Sequence, residues 1–331
     1  MSTQVAPHYL ARMTAASRPP SITLLILNGK SAGEPSVREA VASMRQAGMS
    51  LAVRVTWEAG DAQRYVREAV EAGAGTVIAG GGDGTLHEVA NALAAMEGDD
   101  LPSLGLLPLG TANDFARGAG IPLEAEDALA LVRRAPARPM DLLKVTYGQE
   151  VRWCANLATG GFGTQVTVET DPELKKKLGG LAYVLTGLGR LGQATPLVAR
   201  FQGDGFEWQG GFVALGIGNG RQAGGGQVLC PDAQVDDGLI DLTVIPEGKG
   251  DAAEFLSVLG TALSAGREAA LAQIGVCARL PWLEVASDAP FTLNLDGEPM
   301  EGDRFRIEAV SGRVRMHLPP DSPVLTGAAQ A

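Results

Sequence analysis

The chain has 331 residues, 45% apolar and 20% charged, which is ordinary for a globular protein and long enough for two domain cores. A net charge of −11 excludes the broad positive surface that non-specific nucleic-acid binding needs, and it opposes general adhesion to an anionic bilayer. No apolar run approaches the roughly 20 residues of a membrane span, and Cys154, Cys230 and Cys277 form no C-x-x-C pair, so the pattern is that of a cytoplasmic protein without a disulfide framework or zinc site.

Residues 1–20, rich in Ala, Ser and Pro, read as a disordered lead-in without a signal-peptide pattern. Residues 21–28 (SITLLILN) form a short apolar run and predict a buried strand. Pro35 suits the first turn of a helix that carries Val37, Ala40, Val41 and Met44 at helical spacing and stops at Gly48. Leu51, Val53 and Val55 alternate with Arg54 and Thr56 as a second strand. Asp61 reads as the N-cap of a helix reaching Ala72. A third strand follows at 76–79, a helix at 85–96, a fourth strand at 103–108 and a further helix at 124–134. This alternation predicts an open, mostly parallel sheet with helices on both faces, whose ligands bind beyond the carboxyl ends of the strands. From about Asp141 the segments become strand-like, at 142–146, 151–156, 211–217, 239–245, 282–286 and 291–295. They predict a largely antiparallel β domain, interrupted by helical stretches at 172–192 and 251–271.

The chemistry-bearing residues cluster where the strands end. Gly80-Gly81-Gly82-Asp83-Gly84-Thr85 follows the third strand. Consecutive glycines let backbone N–H groups approach one anion, and the helix opened by Thr85 favours negative charge at its start, which suits a phosphate. Asp83 suits a magnesium ion or a substrate hydroxyl better than a bare phosphate. Taken alone, the run is equally a sharp turn with Asp83 and Thr85 as helix caps. The fourth strand leads into Pro108-Leu109-Gly110-Thr111-Ala112-Asn113-Asp114-Phe115, where Thr111 offers a hydroxyl to a phosphate and Asn113 and Asp114 suit the start of a short helix. Asn28-Gly29-Lys30 and Thr56 end the first two strands, so four polar loops converge on one edge. Asn294-Leu295-Asp296-Gly297-Glu298 is by itself a hairpin turn, yet Asp296 and Glu298 are also candidates to take the proton of a hydroxyl attacking phosphorus. Gln234-Val235-Asp236-Asp237-Gly238-Leu239 is either a solvated acidic turn or a cation site using Asp237 with backbone carbonyls.

In this order and number, the motifs resemble the diacylglycerol kinase catalytic family, which includes sphingosine and ceramide kinases, and within it the bacterial YegS-type lipid kinases. Further matching stretches are 26–30, 53–58, 158–163 and 216–226, so the resemblance runs from about residue 21 to 323. It implies a nucleotide-binding α/β domain at 21–140, similar to NAD kinases and phosphofructokinases, a lipid-binding antiparallel β-sandwich at 141–315, and a tail at 316–325 returning to the first domain. It places ATP on Thr56, on Gly82, Asp83, Gly84, Thr85, Leu86, His87 and Glu88, and on Thr111. His87 stands where relatives often carry Asn, and Asn28-Gly29-Lys30 departs from the family's Asn-Pro pair. The resemblance also implies a structural metal, magnesium or alternatively calcium, held by Gln234 and Leu239 through carbonyls and by Asp237. Glu298 matches the proton acceptor, with Asp296 or Asp83 assisting.

The implied reaction is in-line transfer of the ATP γ-phosphate to a lipid hydroxyl, with phosphatidylglycerol, diacylglycerol and other lipid alcohols all open as acceptors. An NAD kinase-like enzyme and a non-catalytic nucleotide-binding regulatory module are the competing readings. Leu174, Leu178, Leu181, Leu185, Leu188 and Leu191 line one face of the stretch at 172–192, beside Lys175, Lys176 and Lys177. This is the expected foothold for transient contact with the inner membrane face, or else a stripe packed on the β domain.

Overall fold

The computed structural model describes residues 22–98, 100–161, 197–247 and 267–327, with positions 257, 261 and 265 between the last two. The first part runs β1 (Thr23–Asn28), α1 (Pro35–Gln46), β2 (Leu51–Thr56), α2 (Asp61–Glu71), β3 (Thr76–Gly81), α3 (Asp83–Ala94), β4 (Ser103–Pro108), α4 (Asp114–Gly118) and α5 (Ala125–Arg134). There follow β5 (Ala137–Tyr147), β6 (Glu150–Cys154), β7 (Leu157–Gly160), β8 (Leu197–Gly203), β9 (Phe206–Gly218), β10 (Gln222–Ala223), β11 (Gln227–Val228), β12 (Ile240–Pro246), α6 (Arg267–Ile274), β13 (Val276–Leu280), β14 (Trp282–Leu295) and β15 (Glu298–His317).

The first four strands lie in the order β4-β3-β1-β2, all parallel. Side chains alternate across a strand, and here both faces are apolar. Leu24 and Ile26 face one core with Val66 of α2 and Leu86, Val89 and Leu93 of α3. Leu25 and Leu27 face another with Val37, Val41 and Met44 of α1 and Leu129 and Val132 of α5. Continuous apolar runs are therefore what a two-sided strand requires.

Most other pairings are antiparallel. A third core lies among these strands, with Phe201 and Phe212 at 5.5 Å, Phe212 and Phe291 at 6.4 Å and Phe291 and Phe305 at 5.2 Å between ring centres. The parallel and antiparallel strands are joined rather than separate. β15 pairs antiparallel with β14 and β5, and its Met316 lies opposite Leu104 of the parallel strand β4, giving one 13-stranded sheet among the described residues. Beyond it, Leu318, Val324 and Leu325 bury in the same core as β1, β3 and α3.

Several local expectations need correction. α3 begins at Asp83, two residues early, because β3 runs on through Gly80 and Gly81 and Gly82 takes the cap position. Asp61 is the first residue of α2 and not its cap: Gly60, at φ 87°, stands there. The Asp61 carboxylate instead turns back to accept the N–H groups of Trp57 (2.7 Å) and Glu58 (3.1 Å), and its pKa is lowered to about 2, chiefly by the bond from Arg64 and then by those two N–H groups. The two expected strands at 282–286 and 291–295 are one strand, β14, with an irregular register between Ala286 and Phe291. Residues 1–20 and the stretch at 172–192, with its leucine stripe and lysines, lie outside the described residues. Of the helix expected at 251–271, α6 is described, and it ends later, at Ile274.

Candidate active site

Two glycine loops meet at the carboxyl edge of the parallel strands. A Cβ on Gly110 would lie 2.5 Å from Gly82 Cα, and one on Gly81 would lie 2.2 Å from Thr85 Oγ1, so neither position admits a side chain without displacement. The backbones thus approach directly, and the start of α3 is bare of Cβ atoms at Gly82 and Gly84. Asn28 reaches across from β1, its Nδ2 donating to Thr85 Oγ1 (3.3 Å). Thr56 lies at the end of β2 opposite Asn28. Beside it Trp57 is 93% exposed. Thr111 is exposed on the second loop.

Asp83 does not cap its own helix. Its two oxygens accept the N–H groups of Asp114 (3.1 Å) and Phe115 (3.1 Å), so it caps α4 across the gap between the loops. Burial raises its pKa, those two N–H groups oppose the rise, and the charges of Asp114 and Asp296 add to it. Asn113, at φ 50°, closes the turn before α4 by accepting from Gly110 N and donating to Gly110 O, both at 2.8 Å.

The second carboxylate comes from the turn between β14 and β15. Asp296 sits at φ 53° with its side chain 3% exposed. Five donors surround it: the N–H groups of Ala155 (2.8 Å), Asn156 (2.9 Å) and Leu157 (3.1 Å), the Cys154 thiol (3.1 Å) and His87 Nδ1 (3.1 Å). Burial alone would raise its pKa, but the bond and charge of His87, with the Ala155 N–H and the thiol, outweigh it and hold the carboxyl below its ordinary range. This is an anchored anion, and its lone pairs are spent on the fold.

Glu298, two residues on, is different. It is exposed, opens β15 opposite Leu295, and its side chain makes no hydrogen bond or ion pair with the described residues. It lines an open cleft of about 730 Å³ with His87, Glu88, Lys144, Arg152 and Trp153. Glu88 has its pKa raised by partial desolvation, less a contribution from His87 and plus one from the negative charge of Glu298. The cleft therefore holds three carboxylates, Glu88, Glu97 and Glu298, and of these Glu88 and Glu298 lie beside His87, toward the start of α3. Leu86 is buried in the core, and its side chain faces away from solvent.

Sequence reasoning missed Asn91, which pairs α3 with β6 at two points: its Oδ1 accepts Trp153 N (2.9 Å) and its Nδ2 donates to Trp153 O (2.8 Å). An amide one helical turn beyond His87 was the available signal.

The acidic turn lies elsewhere. Asp237 accepts the Leu239 N–H (2.9 Å) and pairs with Arg279. Next to it Asp241 Oδ2 is buried without a hydrogen-bond partner, the nearest cation being Arg279 Nε at 3.5 Å. Among the described residues no group of three or more His, Cys, Asp or Glu side chains converges as a metal site. A set built on Asp237 and two carbonyls still fits the chemistry, because the turn carries more buried negative charge than Arg279 satisfies. His317 belongs to the fold: its Nδ1 donates to Ala135 O (2.7 Å), and burial lowers its pKa.

Comparison with known proteins identifies the family. Residues 23–145 match the diacylglycerol kinase catalytic domain, and residues 157–317 match the YegS C-terminal NAD kinase beta sandwich-like domain. A Stenotrophomonas maltophilia protein named "Probable lipid kinase YegS-like" is 59% identical over 92% of this chain and 98% of its own. A protein of the same name from Pseudomonas aeruginosa is 53% identical over 91% of this chain and 96% of its own. The crystal structure of a diacylglycerol kinase from Bacillus anthracis superposes with a TM-score of 0.70 at 26% identity, covering 91% of this chain and 98% of that one. With relatives this similar over nearly its whole length, the chain belongs to the YegS-like lipid kinases of the diacylglycerol kinase catalytic-domain family.

Proposed function

We propose that this lipid kinase transfers the γ-phosphoryl group of ATP to a hydroxyl of a membrane lipid at the cleft beside α3, using Glu298 as proton acceptor. The observation that carries this reading is the pairing of a Cβ-free loop at the start of α3 with an unengaged carboxylate, Glu298, brought to the same helix from β15. The ATP phosphates rest on Gly82, Gly84 and the N–H groups that open α3, within reach of Thr85 and Thr111, with Thr56 at the nucleoside end. The lipid oxygen attacks the γ-phosphorus, the bond to the β–γ bridging oxygen breaks, ADP leaves, and the hydroxyl proton passes to Glu298. Asp296 and His87 set where Glu298 stands, and Asp83 orders the second loop. Residues 21–140 with 316–325 form the nucleotide-binding unit, and 141–315 the lipid unit. Among the described residues no helix is long and apolar enough to cross a membrane. In this reading the lipid is met by peripheral contact with the inner membrane face. Incubation of the purified protein with labelled ATP and mixed phospholipid and diacylglycerol vesicles, with NAD as control acceptor, is expected to label a lipid. Label appearing only on NAD, or nowhere, rejects the reading.

We assign the magnesium to Asp237 with the carbonyls of Gln234 and Leu239. The ion supplies positive charge to the acidic turn and steadies the strands that follow it. Asp237→Ala is expected to raise the magnesium concentration giving half-maximal activity by about tenfold or more, as loss of a supporting metal contact does. An unchanged magnesium titration would return the turn to the Arg279 ion pair alone.

A further inference from the structure

One motif has no part in the reaction described above. Residues 216–226 end in the small hairpin β10–β11, whose loop Gly224-Gly225-Gly226 has φ values of 62°, 85° and 89°. Only glycine adopts such a run freely, and it turns consecutive N–H groups toward one anion. That anion is the Asp114 carboxylate, which accepts Gly226 N (2.6 Å) and Gly225 N (2.8 Å). Gln222 adds a second tie, its Nε2 donating to Asp114 O (3.1 Å). On the other side, Gln222 O accepts from Asn156 Nδ2 (2.8 Å), and Asn156 N donates to Asp296. Asp114 N already donates to Asp83. The contacts close a circuit from Asp83 through Asp114, Gln222, Asn156 and Asp296 to His87, which shares α3 with Asp83. The hairpin itself belongs neither to the glycine loops nor to the turn bearing Glu298.

We propose that Asp114 is a positioning residue for phosphoryl transfer: by clamping the Gly224–Gly226 hairpin it ties the phosphate-binding loops to the Asp296 turn and so sets the spacing between donor and proton acceptor. The inference rests on the reading of Glu298 given above. In-line transfer depends steeply on this spacing, and a misplacement of about 1 Å costs about a hundredfold. Asp114→Asn keeps the size of the side chain but turns a donor toward one of the two glycine N–H groups, loosening the clamp. Gln222→Leu cuts the second tie alone and covers the case in which Asp114→Asn does not fold.

The test is a double-mutant cycle with Glu298→Gln, on a short-chain soluble lipid, alongside hydrogen exchange of the backbone amides. Each single variant is expected to lower kcat by about tenfold to a hundredfold without changing KM for ATP. In the Glu298→Gln background the same changes should have little further effect, since there is no longer a proton acceptor to position. Amide protection should fall at Gly225 and Gly226 and also at Asn156 and Leu157, on the far side of the circuit. An equal fall in kcat in both backgrounds, or unchanged protection at Asn156 and Leu157, overturns the proposal. If the parent phosphorylates no lipid, the kinase reading fails on its own account, while the exchange data still decide whether the circuit transmits.

Discussion

Glu298→Gln is expected to lower kcat by about 10²–10⁴-fold, the usual cost of losing a positioned general base, with KM for ATP and the melting temperature unchanged. The stability expectation follows from exposure: Glu298 makes no bond among the described residues that glutamine would break. The activity expectation follows from location, because Glu298 opens β15 in the cleft lined by His87 and Glu88 of α3, the helix that the glycine loop opens. An effect confined to kcat marks an interaction made only in the transition state. Single-turnover measurement with ATP and a soluble lipid checks it. A loss of less than about tenfold would shift the role. Glu88 would then be the group to replace, since it faces the same cleft and its raised pKa already suits proton uptake.

Asp296→Asn is expected to be the most damaging substitution for the fold, destabilising it by about 3–5 kcal/mol, as removal of one partner from a buried charged network does. Asparagine tolerates the left-handed backbone at this position, so the effect isolates the carboxylate from the turn. One oxygen becomes an NH2 group facing N–H donors, and part of the set from Ala155, Asn156, Leu157, Cys154 and His87 loses its acceptor. The pH dependence has a definite sign. A carboxyl whose folded pKa is depressed contributes stability that is present above its unfolded pKa of about 3.9 and is lost as pH falls through the lower folded value. Parent and variant should therefore differ most at neutral pH and converge in acid. Denaturant unfolding at pH 7 and pH 3 measures both parts, and a gap that does not narrow would show that the carboxylate charge is not what the network stabilises.

These two residues show what the sequence carried and where it stopped. The hairpin turn at Asp296-Gly297 was legible from residue type, and so were the loops at the ends of the first four strands, because local periodicity places strands and helices in this half of the chain. What separates Asp296 from Glu298 is long-range. The donors to Asp296 come from 154–157 and from His87, and no local pattern announces them. Asp83 looked like a cap for the helix beginning beside it, yet it caps α4, which only the approach of two glycine loops permits. β14 read as two strands because Ser287-Asp288-Ala289-Pro290 has turn composition, and the pairing with β15 carries the strand past it. The joining of parallel and antiparallel strands was invisible for the same reason: Met316 meets Leu104 across more than half the chain.

That joining strand has a mechanical consequence. β15 holds Glu298 at one end and meets β4, which leads into the Gly110 loop, at the other, so the two sides of the reaction hang from one continuous spine. Swinging them apart as rigid leaves would shear its ladders with β14 and β5 or bend the strand itself. Two places are prepared to bend: the irregular pairing with β14 at residues 302–304, and the interruption in the pairing with β5 between Val310 and Val314, where Gly312 sits at φ 59° and donates to Asp141. Flexure should concentrate at these two points, as small torsions, and each catalytic cycle would then open the cleft by twisting the spine and not by parting it.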